Sequence, residues 1–87
     1  DEDFELVDVR SDEERAEGYI PGSRHIPHDT IQQNPPTDDK SKLIVLYCHS
    51  GGRSRKAKRK LKRMGYERVH NFGGIVHWDG ETAGGAS

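Results

Sequence analysis

The sequence has a single cysteine and few large apolar residues. Among its 87 residues there are one tryptophan, one methionine and two phenylalanines, and 30% of the chain is hydrophobic. One cysteine excludes an intrachain disulfide and a zinc site built from several thiolates of one chain. No apolar run approaches the roughly 18 residues of a membrane-spanning helix, and no signal-peptide pattern is seen. We expect a soluble cytoplasmic protein with a thin core, or a periplasmic one if a leader was removed.

Charge is divided along the chain, although it nearly cancels overall. Residues 1–43 contain twelve acidic and five basic side chains, whereas residues 44–87 contain three acidic and nine basic ones. The net charge of -1 hides this division, and by itself it says nothing about binding to nucleic acid or to acidic partners. We expect one domain over residues 1–79 and a disordered tail over residues 80–87, which have little apolar surface to bury.

Strand and helix patterns alternate along the chain. Ser11 and Glu14 have the spacing of a capping box, which predicts a short helix over about residues 12–17. The apolar run at residues 43–47 predicts a strand buried on both faces of a parallel sheet. Four further elements are predicted: a strand at residues 4–9, one helical turn near residues 30–33, a helix over residues 54–64 with Ala57, Leu61 and Met64 on one face, and a weak strand at residues 69–72. The alternation predicts an α/β sandwich with a mainly parallel sheet.

Cys48 follows the predicted central strand, at the sheet edge where ligands bind in such folds. A thiolate is the nucleophilic form of cysteine, and backbone N–H groups, a helix N-terminus or a cation lower its pKa. The glycines after Cys48 let loop amides turn inward, and Arg53 adds a cation. A buried, inert cysteine is the alternative, but packing alone explains neither the paired glycines nor the arginine. The candidate site residues are Cys48, His49, Ser50, Gly51, Gly52, Arg53 and Ser54.

Three groups of residues resemble the signatures of the rhodanese sulfurtransferase family. The first group is Asp8-Val9-Arg10, Glu14, Gly18, Ile20, Pro21-Gly22 and Ile26-Pro27; the second is the strand ending at Tyr47 with Cys48; the third is Gly65-Tyr66, Val69, Gly73-Gly74 and Trp78. The likeness spans residues 4–78 and is to the minimal single-domain form, including the phage-shock type. Arg15 and Tyr19 stand where the family usually has an aromatic residue and a histidine, and we expect both to be scaffold positions.

The resemblance implies a small rhodanese-like three-layer α/β sandwich, with a mainly parallel central sheet flanked by short helices. It also implies a thiosulfate sulfurtransferase in which catalytic Cys48 takes a sulfur atom from thiosulfate or a similar anionic donor as a persulfide. The acceptor is then cyanide or a thiol, such as that of a thioredoxin-like protein. Residues 49–54 would hold the persulfide and the donor. No metal or organic cofactor is implied, and we expect a monomer.

The other notable residues have structural interpretations. We expect Asp8 and Arg10 to form an ion pair or hydrogen bonds that support the active loop, and Trp78 to be a core anchor. The predicted helix at residues 54–64 carries seven cations, but it has no aromatic residue to stack on bases, so a solvated face that attracts anions is favoured over nucleic-acid binding. The spacing of His25 and His28 fits no structural zinc site.

Two other functions stay open. The chain could be a non-enzymatic persulfide carrier, or a module that binds a partner through the basic helix. It could also be a relative of the cysteine-dependent phosphatases and arsenate reductases. Four residues separate Cys48 from Arg53, whereas the related phosphatases have five around a larger phosphoryl group, so the loop length favours sulfur.

Overall fold

The computed structural model describes residues 4–49, 51–75, 78, 80 and 82. In chain order its elements are β1 (Phe4–Asp8), α1 (Asp12–Ala16), β2 (Arg24–His25), β3 (Leu43–Cys48), α2 (Gly52–Arg63) and β4 (Val69–Gly74). The strands form a four-stranded sheet in the order β2-β1-β3-β4, and every neighbouring pair is parallel. This confirms the predicted α/β class. None of the helices among the described residues has the length and apolarity needed to cross a bilayer.

The central strand β3 contributes several core residues, and it ends at Cys48 on the carboxyl edge of the sheet. Ile44, Leu46 and Tyr47 are fully buried, as the apolar run predicts. β1 pairs with β3 in register from Phe4 opposite Leu43 to Asp8 opposite Tyr47. The ends of both strands therefore lie side by side at one edge, and the segments that follow them begin next to each other.

Helix α2 begins at Gly52, two residues before the predicted start at residue 54. Gly51 occupies the N-cap position with φ of 104°, a left-handed conformation that favours glycine. This turn at Gly51 allows the helix to begin at Gly52, a residue with low helix propensity. Ala57 and Leu61 are buried on the predicted face, and Met64 packs partly buried against the same core. The helix thus covers β3 and β4 and holds its first turn beside Cys48.

Strand β4 contains a bulge. Leu46 of β3 faces Asn71 and Tyr47 faces Gly73, so Phe72 is an extra residue in the register. Phe72 is 45% exposed and contacts Trp78, which is 37% exposed, in an edge-to-face arrangement with ring centroids 6.2 Å apart. The prediction that Trp78 anchors the core is wrong, because its ring packs on this exposed neighbour rather than in the interior.

The segment before β3 is built from turns. The amides of Thr30 and Gln33 donate to the carbonyls of Pro27 and Thr30, each at 3.0 Å, so consecutive turns occupy the place where one helical turn is predicted. Ile31 within them is fully buried and adds to the core. Of the predicted tail at residues 80–87, only residues 80 and 82 are among those described.

Candidate active site

A buried polar network holds the end of β1. Asp8 is fully buried, and its Oδ1 accepts from the backbone N and Nε of Arg10, both at 2.9 Å. Its Oδ2 accepts from Nη2 of Arg10 at 2.8 Å and from the Tyr47 hydroxyl at 3.1 Å. Burial raises the pKa of Asp8, but the hydrogen bonds from Arg10 outweigh it, and the pKa lies below its ordinary value. Asp8 and Arg10 thus form the ion pair expected of them and contact Tyr47, the residue before Cys48.

Arg15, in the last turn of α1, joins this network. Its guanidinium donates from Nη1 to the Ser23 hydroxyl and from Nη2 to the Ser23 carbonyl, both at 2.8 Å. The same guanidinium lies over the Tyr19 ring, 3.6 Å from its centroid. The two residues that depart from the usual family pattern therefore contact each other and stabilise the turn after α1.

Helix α1 is capped by its own side chains. The Glu14 backbone N donates to the Ser11 hydroxyl at 3.3 Å, and the Ser11 backbone N donates to Oε1 of Glu14 at 3.2 Å. These two bonds are the predicted capping box. They fix the Glu14 carboxylate at the carboxyl edge of the sheet, facing the loop that follows β3.

The sulfur of Cys48 lies against the first residues of α2. The backbone N–H of Gly51 donates to Sγ at 2.8 Å, and the Ser54 hydroxyl lies 3.5 Å from Sγ. Cys48 is 1% exposed and belongs to the core cluster. Burial alone would also fit an inert cysteine. The sulfur, however, contacts hydrogen-bond donors at the start of a helix and not only apolar atoms.

Asn71 of β4 is a neighbour that the sequence analysis missed. The Ser54 hydroxyl lies 2.5 Å from Oδ1 of Asn71 and 3.0 Å from the Gly51 carbonyl. A hydroxyl has one proton, so Asn71, Gly51 and Cys48 compete for it. Asn71 lies on the same face of β4 as the buried Val69, two residues earlier, so it points toward α2, and its Oδ1 also accepts from the Gly73 amide at 2.8 Å. Gly73, which follows Phe72 and has a φ of 105°, is a local sequence signal of the bulge at Phe72.

Arg53 forms an ion pair with Glu14. Its Nη1 and Nη2 donate to the two carboxylate oxygens of Glu14, the second at 2.7 Å. The bond from Arg53 lowers the pKa of Glu14 to about 2, and Glu14 in turn raises the pKa of Arg53. The sequence spacing of the capping box predicts that Glu14 lies in the first turn of α1. It does not predict that Glu14 binds Arg53, which is 39 residues away in the sequence.

The remaining predicted loop residues are less closely arranged around the sulfur. His49 and Gly52 are exposed, and a Cβ added at Gly52 would meet no atom within 4 Å. Ser50 lies outside the described residues. Of the loop positions that the structure describes, Gly51 and Ser54 thus contact Sγ.

A pocket of about 380 Å³ opens beside this loop. It is lined by the segments after β1 and β2 and by Arg53, which forms the wall nearest the loop. A volume of this size is within the range of sites for small organic ligands. The lining residues are Arg10, Ser11, Asp12, Glu13, Pro27, His28, Asp29, Thr30 and Arg53.

The two histidines near the pocket have separate roles. Nε2 of His25 lies 2.8 Å from the Arg10 carbonyl, and Nδ1 of His28 is buried without a hydrogen-bond partner. Burial lowers the pKa of His28, and the Lys60 cation adds to this. Across the described part of the chain, no three His, Cys, Asp or Glu side chains are grouped so as to hold a metal ion.

Helix α2 presents a basic surface that leads away from Cys48. Two of its lysines bind carbonyls: Lys60 donates to His28 at 2.9 Å and Lys62 to Glu67 at 2.8 Å. Within the described residues, no carboxylate lies within 4 Å of the other five cations after Arg53. These are Arg55, Lys56, Lys58, Arg59 and Arg63, and together they form the α2 basic surface.

Comparison with known proteins gives a family match over nearly the whole chain. A model of the Rhodanese-like domain matches residues 1–81. "Putative sulfurtransferase YtwF" of Bacillus subtilis is 44% identical over 82 residues, which cover 94% of this chain and 80% of that protein. "Thiosulfate sulfurtransferase PspE" of Escherichia coli is 34% identical over 71 residues, which cover 79% of this chain and 68% of that protein. The relatives support sulfur transfer as the general chemistry.

A solved structure has the same fold. The structure titled "rhodanese with anions from E. coli" superposes with a TM-score of 0.82 and 30% sequence identity, covering 95% of this chain and 100% of that chain. This agreement confirms the rhodanese fold that the three groups of signature residues imply.

Proposed function

The chain belongs to the rhodanese-like domain family, and on that premise we propose that it is a thiosulfate sulfurtransferase that carries sulfur as a persulfide on Cys48. The observation that carries the proposal is the hydrogen bond from the Gly51 N–H to the Cys48 sulfur, 2.8 Å long, at the first turn of α2. A donor in this position stabilises negative charge on sulfur, both as a thiolate and as a persulfide.

The proposed reaction has two displacements. In the first, the Cys48 thiolate attacks the outer sulfur of thiosulfate, a new S–S bond forms, and sulfite leaves with the electron pair of the broken bond. In the second, cyanide or a thiolate attacks the outer sulfur of the Cys48 persulfide. Thiocyanate or a new persulfide leaves, and the Cys48 thiolate is regenerated with no change in its oxidation state.

The surrounding residues have distinct parts in this proposal. The Gly51 amide holds the charged sulfur, and the Ser54 hydroxyl adds a bond when it turns from Asn71 to the sulfur. Arg53 offers the N–H groups not bound to Glu14 to the anionic donor. The pocket beside Arg53 has room for a small thiol acceptor.

Sulfur loading tests the proposal. The protein is incubated with thiosulfate and its intact mass is measured, with Cys48→Ser as the control. We expect the unmodified chain to gain one sulfur atom, the variant to gain none, and cyanide to remove the sulfur as thiocyanate. If the unmodified chain gains no sulfur, the proposal fails.

A persulfide carrier is the second candidate, and the α2 basic surface is the observation that favours it. Five cations without a carboxylate among the described residues suit the docking of an acidic partner. A carrier would load sulfur from thiosulfate but would not turn over with cyanide. Multiple turnovers with thiosulfate and cyanide would therefore exclude it in favour of the enzyme.

A further inference from the structure

The positive charge of Arg53 is already matched by a carboxylate from another part of the chain. Both terminal nitrogens of its guanidinium bind the Glu14 carboxylate, and the two side chains are 31% and 25% exposed. Two parallel bonds of this kind are stronger than a single surface contact. A donor that approaches Arg53 therefore meets an ion pair rather than a free cation.

Glu14 is also held from its own side. Its Oε1 accepts from the Ser11 backbone N at 3.2 Å and from the Ser11 hydroxyl at 3.0 Å. Because α1 fixes the carboxylate independently of α2, Glu14 is held at the carboxyl edge beside Arg53. Its negative charge then remains next to whatever the guanidinium binds.

Protonation does not remove this charge at neutral pH. The bond from Arg53 lowers the pKa of Glu14 to about 2. The bond to Glu14 is in turn the main cause of the raised pKa of Arg53. Both members of the pair are charged when the sulfur is loaded.

We propose that Glu14 determines donor specificity: its carboxylate offsets the charge of Arg53 and so weakens the binding of doubly charged donors relative to singly charged ones. Repulsion scales with the charge of the ligand, so a dianion loses about twice as much binding free energy as a monoanion. The inference rests on the proposed function, because it concerns donor choice at Cys48.

Equilibrium binding of two anions tests it. The Cys48→Ser background prevents turnover, so the dissociation constants of thiosulfate (charge 2-) and thiocyanate (charge 1-) are measured by titration followed by NMR. Adding Glu14→Gln should tighten thiosulfate binding about three- to tenfold. Thiocyanate binding should tighten by about the square root of that factor, since the coupling is linear in charge.

Two matched variants separate charge from structure. Glu14→Asp keeps the carboxylate and should retain the thiosulfate-to-thiocyanate affinity ratio of the parent. Ser11→Ala removes the hydroxyl that holds Glu14 but leaves its charge, so it should lower stability without raising the ratio. Thermal unfolding of each variant checks that it is folded. An unchanged ratio in Glu14→Gln, or no measurable thiosulfate binding in any of them, overturns the inference.

Its failure is distinguishable from that of the proposed function. Gain of sulfur by the chain with Cys48 intact, together with an unchanged affinity ratio, would refute the inference about Glu14 alone. A shifted ratio without sulfur gain would support the effect of Glu14 on anion selectivity and refute the sulfur-transfer proposal.

Discussion

Two helices begin at the same edge of the sheet, and their first turns are built in opposite ways. At α1, Ser11 and Glu14 form a capping box, and three acidic residues occupy the first turn. At α2, Gly51 provides no side-chain cap and the first turn has no acid. Instead, the Gly51 N–H donates to the Cys48 sulfur. A helix start capped by its own side chains uses up its donors, whereas one without such a cap leaves them for a charged sulfur.

The comparison also divides stability from function. The segment around α1 is tied to the sheet by the Asp8 network, by Arg15 and by the capping box, so changes there, apart from the proposed effect of Glu14 on donor choice, should mainly lower the free energy of unfolding. The start of α2 contacts the sulfur, so changes there should mainly slow sulfur loading. Four variants test this division.

Asp8→Ala should have the largest effect, and on stability. It leaves Arg10, a residue 4% exposed, without its carboxylate partner, and we expect a loss of about 3–5 kcal/mol in the free energy of unfolding. Urea unfolding measures it. Asp12→Ala, which changes an exposed acid at the start of α1, is the control and should cost far less. Similar losses for both variants would contradict the importance of the network.

Gly51→Ala should lower stability by about 1–2 kcal/mol because its φ is +104°. It should also slow sulfur loading at least about tenfold, equivalent to about 1.4 kcal/mol, because the amide that contacts Sγ is displaced. Gly65→Ala is a matched control, since its φ is +101° and a Cβ there meets no atom within 4 Å. It should lose similar stability and keep its loading rate; if it slows equally, the special role of Gly51 is disproved.

Ser11→Ala should cost about 1 kcal/mol of stability, the usual value of an N-cap side chain. Since Ser11 does not contact the sulfur, the rate of sulfur loading should stay within about twofold of the parent. Thermal unfolding and loading followed by mass spectrometry check the two expectations. If Ser11→Ala slowed sulfur loading strongly with little loss of stability, the proposed difference in role between the starts of α1 and α2 would be wrong.

Glu14→Gln should have the smallest effect, and a pH-dependent one. The pKa of Glu14 is lowered from 4.5 to about 2, so its stabilising effect is present above about pH 4.5 and is lost as the pH falls toward 2. The parent should exceed the variant by about 1 kcal/mol or less at pH 7, and the difference should disappear as the pH falls through about 2. Glu13→Gln, in the same turn, is the control. A difference that stays constant with pH would show that the ion pair contributes nothing.

Local spacing was sufficient to predict the parts of the site that are close in sequence. The Ser11–Glu14 capping box, the buried strand that ends in Cys48 and the helical face of Ala57 and Leu61 all depend on residues within one or two turns of each other. The likeness to a known family added the order of these parts, and the fold that it implies is confirmed.

Contacts between distant segments could not be predicted in the same way. The acidic first half and the basic second half show that opposite charges are available, but they do not say that Glu14 meets Arg53. Helix α2 begins two residues before its predicted start, because glycine disfavours helix in the sequence pattern whereas the left-handed turn at Gly51 is a tertiary requirement. The prediction that Trp78 anchors the core fails for the same reason, because its ring packs against the exposed ring of Phe72, the bulged residue of β4.

The bulge also interrupts one outer edge of the sheet. A parallel sheet has two outer strands with unpaired backbone groups, and such edges can template aggregation. Here one outer strand, β2, has only two residues, and the other, β4, is interrupted at Phe72. Neither offers a long regular ladder to a foreign strand. The irregularity next to Asn71 therefore also shortens the regular backbone edge on which a foreign strand could pair.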